Sequence, residues 1–136
     1  MRRFVLACAA VTLLACGGGD STGPVASAEG TWNLQTVGGS ALPYTYAYDA
    51  ATQHRLEVMS DVFVMSSDGT YAETFTVRET LGTQVTTSTD TDAGTWSQSG
   101  KTVTVTFSDG SHLTASINED QITMNTAAGV LLYARQ

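Results

Sequence analysis

Between Thr31 and Arg135 the apolar residues fall at every second position, in short runs parted by a few turn residues, and that period-2 pattern restricts the chain to sheet. Val103, Val105 and Phe107 alternate with Thr102, Thr104 and Thr106, and Leu113, Ala115 and Ile117 alternate in the same way. No segment carries the three-and-four spacing of an amphipathic helix. Threonine fills many of the intervening positions, as suits a pleated sheet with one wet face. Asp68-Gly69 and Asp109-Gly110 are tight hairpin signals, because both residues tolerate the positive φ such turns need. Ser99-Gly100, Asn118-Glu119-Asp120 and Ala127-Ala128-Gly129 supply further short turns, so successive strands should be antiparallel neighbours. Left open, such a sheet would expose two bare edges, and closing it removes them. The expectation is an all-β, antiparallel up-and-down barrel of eight to ten strands, with a two-sheet sandwich as the competing architecture.

The strands differ in clarity. Thr31 to Val37 puts Trp32 and Leu34 on one face. Tyr44, Tyr46 and Tyr48 alternate in an edge strand or a loop over an opening. In His54 to Ser66 the pattern sets Leu56, Val58, Val62 and Val64 against Met59, Phe63 and Met65, with a bulge expected near Asp61. Tyr71, Phe75 and Val77 share a face with Glu73 and Glu79. Gln84 to Thr89 reads as a weaker edge strand, and Asp90-Thr91-Asp92-Ala93-Gly94 as a turn. If the first and last strands pair, the Arg135 guanidinium comes over the Trp32 indole and shuts one end.

Residues 1–15 have the basic start (Arg2, Arg3) and apolar run (Phe4 to Leu14) of a signal peptide, too short for a permanent span of about 20 apolar residues. Leu13-Leu14-Ala15-Cys16 resembles the lipobox of bacterial lipoproteins. The resemblance implies cleavage before Cys16, acylation of its sulfur and a membrane partner reached through that lipid. Gly17 stands where enteric bacteria use aspartate to hold lipoproteins in the inner membrane, so the resemblance implies the outer membrane of the cell envelope. Cys8 leaves with the leader, and the mature chain then has one cysteine and no internal disulfide. Residues 16–28, small and polar, read as a flexible tether, and residues 29–136 as one domain.

The net charge is −7, and losing Arg2 and Arg3 with the leader takes it to −9. Only Arg55, Arg78, Lys101 and Arg135 remain as strong cations, which sets aside nucleic acid as a partner.

Gly30-Thr31-Trp32, Leu42-Pro43, Asp68-Gly69-Thr70-Tyr71, Gly94-Thr95-Trp96 and Leu132-Tyr133-Ala134-Arg135, in that order, resemble the small bacterial lipoproteins with a lipocalin-like, calycin-type domain. The resemblance implies a barrel sealed at one end by Trp32 and Arg135, with an interior that takes a small apolar or amphipathic ligand. Tyr44, Tyr46, Tyr48, Phe63, Tyr71, Glu73 and Phe75 are the candidate ligand-binding residues. The second reading is a structural module with a filled barrel that recognises another envelope protein.

Catalysis is not expected. Asp109, Ser111 and His112 are the residue types of a hydrolytic triad, but neighbouring strand residues point to opposite faces. Asp90 to Gly94 opens like a calcium loop, yet its glycine comes one place early and Lys101 stands where the bidentate glutamate belongs. His54 and His112 lack the partners of a metal site, and no cofactor is expected.

Overall fold

The computed structural model describes residues 24–136. The signal-peptide, Cys16 and most of the tether readings therefore lie outside the described residues. Ten strands follow one another: β1 (Gly30–Val37), β2 (Ser40–Ala41), β3 (Tyr44–Asp49), β4 (His54–Met65), β5 (Thr70–Leu81), β6 (Gln84–Ser99), β7 (Thr102–Thr106), β8 (His112–Asn118), β9 (Gln121–Thr126) and β10 (Gly129–Arg135). From β3 to β10 each strand pairs with its successor, and β1 pairs with β10 on one side and β4 on the other. Eight strands, β1 and β4 to β10, thus close an antiparallel up-and-down barrel of lipocalin-like form. Strands β2 and β3 lie outside the ring, against the far ends of β1 and β4.

Closure comes about as the alternation requires. Trp32 faces Arg135 across β1–β10 and Phe63 across β1–β4. The inward residues near that end, Trp32, Phe63, Met65, Tyr71, Val103, Val105, Ile117, Ile122, Met124 and Tyr133, form the core. Arg135 lies with its guanidinium carbon 4.2 Å from the Trp32 ring centre. Its nitrogens also donate to the carbonyls of Glu29 (2.6 Å) and Ser27 (2.5 Å) and to Asp120 Oδ1 (3.1 Å). Trp32 Nε1 donates to the Ala28 carbonyl at 2.7 Å. Gln98 accepts from the Ala28 amide and donates to the Ala26 carbonyl, both at 2.8 Å. The last residues of the stretch read as tether are therefore the plug of the closed end, with Ala28 wholly buried. Gly30 is needed there: it sits at φ +133°, and a Cβ would meet the Arg135 guanidinium at 2.7 Å.

Three bulges shift the strand phases toward the other end. Leu34 and Thr36 oppose Tyr133 and Leu132, so Gln35 is the extra residue in β1 and Val37 returns to the interior. Tyr46 is extra in β3, and Met59 in β4. The Met59 bulge corrects the face expected for β4. Val58 points inward, the phase slips, and Asp61, Phe63 and Met65 then point inward while Val64 is exposed.

A second correction concerns Asp90 to Gly94, which is not a turn. Strand β6 runs unbroken through it, with Asp90 opposite Phe75, Asp92 opposite Glu73 and Gly94 opposite Tyr71. The long β5 offers a ladder along its whole length, and that pairing overrides the turn tendency of aspartate and glycine. Strand β7 accompanies β6 only from Thr95 to Ser99, so the first part of β6 is a free edge. Its inward Asp90 and Asp92 discourage further strands from adding there.

Candidate functional site

At the end away from Trp32 the core thins into a cavity of about 350 Å³. Leu34 and Val37 of β1, Tyr44 and Tyr46 of β3, Val58 of β4, Phe75 of β5 and Leu131 of β10 line it, with Thr126, Ala128 and Asp61 completing the wall. The three bulged strands supply most of that lining, because each bulge re-aims a side chain at the rim. A second hollow, of about 280 Å³, lies toward the free edge of β6. Its wall is Glu73, Phe75, Asp90, Thr91, Asp92 and, again, Asp61. Asp61 and Phe75 are thus common to both hollows.

Asp61 is 5% exposed. Its Oδ2 accepts from the Tyr133 hydroxyl at 2.6 Å, whereas Oδ1 has no donor among the described residues once the neighbouring Glu73 carboxyl is ionised. Burial raises its pKa, opposed by the Tyr133 hydroxyl and by Glu73, whose proton favours a charged Asp61. Glu73 is pushed up to about 7, first by burial and then by the negative charge of Asp61. Two carboxyls in one low-dielectric wall do not ionise together readily. The pair therefore holds one proton at slightly acid pH and gives it up around neutrality. Burial and the Asp61 charge hold the Tyr133 hydroxyl protonated far above the usual phenol range, so it remains a donor. Asp92 is different: donation from Ser108 (2.6 Å) and Tyr71 (2.7 Å) lowers its pKa and keeps it ionised.

Of the seven expected ligand residues, Tyr44, Tyr46 and Phe75 line the larger cavity and Glu73 the smaller. Phe63 and Tyr71 lie beneath, 2% exposed, in an aromatic floor where Phe63 meets Tyr71 at 5.4 Å and Tyr133 at 5.6 Å between ring centres. Tyr48 stands on the outside, opposite Arg55, whose guanidinium lies 5.6 Å from its ring centre. The Tyr46 bulge separates it from its two partners. Asp61 and Tyr133 were missed as site residues; the available signal was a carboxylate breaking an apolar run, Val58 to Met65.

The remaining candidates have structural partners. Ser111 Oγ donates to Asp109 Oδ1 at 2.5 Å within the turn, and His112, exposed, opens β8. His54 Nε2 meets Glu79 at 2.6 Å. Arg78 pairs with Glu57 at 2.9 Å on the outer face. Among the described residues no three histidine, cysteine, aspartate or glutamate side chains converge as a metal site. No family model matches the chain, and no curated protein matches it.

Proposed function

We propose that this chain is a lipid-tethered envelope protein whose barrel is a non-catalytic binding module for a small apolar or amphipathic molecule. The observation that carries the reading is the 350 Å³ cavity at the mouth, within the roughly 300–1,000 Å³ range of small-molecule sites and walled mainly by apolar side chains. A barrel built only as a spacer or docking block would be filled by its own side chains, as the Trp32 end is. The aromatic floor and the plugged end leave the mouth as the route in. The address rests on the resemblance of Leu13-Leu14-Ala15-Cys16 to a lipobox, and the lipocalin-type identity on the order of the short motifs, the first and last of which, around Trp32 and Arg135, pair across β1–β10. On this reading the lipid on Cys16 holds the protein at the outer membrane.

The test is titration of the full chain with a neutral apolar naphthylamine dye, beside Val58→Phe, which puts a ring into the cavity. The wild type should bind and enhance the dye, and the folded variant should not. Equal binding by the two, or none by either, refutes the reading and favours the filled module that recognises an envelope protein.

A further inference from the structure

On the reading of the mouth as an apolar-ligand site, we infer that its ligand is an amphiphile bearing a protonated amine, the apolar body among Leu34, Val58 and Leu131 and the ammonium donating to Asp61 Oδ1. Two independent observations point there. One is the orphan acceptor: Asp61 is 95% withdrawn from solvent, it faces both hollows, and once the neighbouring Glu73 carboxyl is ionised its Oδ1 has no donor among the described residues. Leaving a buried carboxylate oxygen unpartnered is costly, and a ligand that donates to it removes the cost. The other is the sign of the surroundings. Glu73, Asp90 and Asp92 line the adjoining hollow, and no described cation lines either hollow. Arg55 and Arg78 are turned outward to Glu57, and Arg135 is bound at the closed end.

These facts select among head groups. A carboxylate or phosphate would meet like charge in a poorly solvated wall and is disfavoured. An alcohol can donate once to Asp61 but leaves the negative charge uncompensated. An ammonium group has three donors and a full positive charge, enough for Asp61 and Glu73 together. A divalent cation does not suit the mouth cavity, where, among the described residues, Asp61 is the one carboxylate in the wall. The amine-bearing ligand should also bind more tightly as pH rises through the range where Glu73 ionises, since the groups facing it are Asp61, Glu73, Asp90, Asp92 and the hydroxyls of Tyr71 and Tyr133.

The experiment compares octylamine, 1-octanol and octanoate on the full chain in phosphatidylcholine nanodiscs at pH 8. Binding is read from the backbone amide signals of Asp61, Glu73 and Tyr133, so partition into lipid does not register. Octylamine should bind at least about tenfold tighter than octanol, as expected for a charged hydrogen bond in place of a neutral one, with octanoate weakest. Asp61→Asn should erase the amine's advantage over octanol. Should that variant fail to fold, Glu73→Gln, at a half-buried position, should cut the advantage by several-fold. Equal affinities for amine and alcohol, or tightest binding of octanoate, would overturn the inference while leaving the apolar site standing. Failure of all three to bind would overturn both.

Discussion

Replacing Glu73 by glutamine tests the carboxyl pair without ligand. In the unfolded chain Glu73 releases its proton near 4.5, and in the barrel only at about 7. Between those values the folded state binds the extra proton. Stability is therefore greatest below the unfolded pKa and is lost as pH rises through the folded one. A shift of that size corresponds to at most about 3.4 kcal/mol. The Glu73 carboxyl is only half-buried, and solvent screening brings the expected loss to about 1–2 kcal/mol. Glutamine keeps the shape, can donate to Asp61 and has no proton to lose. Urea unfolding followed by tryptophan fluorescence at pH 5.5, 7.0 and 8.5 should show the wild type weakening across the series, with the difference from Glu73→Gln changing by about 1–2 kcal/mol. The carboxylates that turns and hydroxyls stabilise, Asp49, Asp68, Asp92 and Asp109, have lowered pKa values and act only in acid, outside this window. A difference that stays constant with pH, or grows in the opposite direction, would refute the assignment of Glu73 as a group desolvated beside Asp61.

Arg135→Ala should lower stability by about 1–3 kcal/mol in urea unfolding, since it removes a ring-stacked guanidinium that also holds the Ser27 and Glu29 carbonyls. Trp32→Ala should cost more, about 3–5 kcal/mol, because the indole is 1% exposed at the centre of the plug. Gly94→Ala should be poorly folded by circular dichroism: a Cβ there collides with the Thr106 carbonyl oxygen and the Tyr71 ring. A normally stable Gly94→Ala protein would contradict the β6–β7 packing.

How much of this was legible in the sequence depended on whether local pattern or ring closure decided the outcome. The barrel was legible because alternation and hairpin turns act locally, and Asp68-Gly69 and Asp109-Gly110 do turn where expected. The Trp32–Arg135 contact was legible because closing a meander leaves the outer edge of the last strand, β10, only the first strand to pair with. The inward face of Glu73 was legible because β5 keeps its phase from Tyr71 to Leu81. Asp61 was not, because the Met59 bulge moves the second half of β4 by one residue and exchanges its faces. A bulge answers to the bend that closure demands, and a single sequence shows only that the pattern is interrupted. The same reason separates Tyr48 from Tyr44 and Tyr46. Gln98 escaped notice as well: nothing in its neighbours says that its amide clasps Ala26 and Ala28, seventy residues away.

The most direct test of the mouth cavity as a ligand site is the set of intermolecular nuclear Overhauser effects between a neutral apolar alcohol, 1-octanol, and the side chains of the full chain. The account predicts contacts from the octyl protons to Leu34, Val58, Phe75 and Leu131, which share one cavity wall. Contacts confined to the exposed Tyr48, Leu81 and Val85, or an absence of contacts at saturating alcohol, would contradict it.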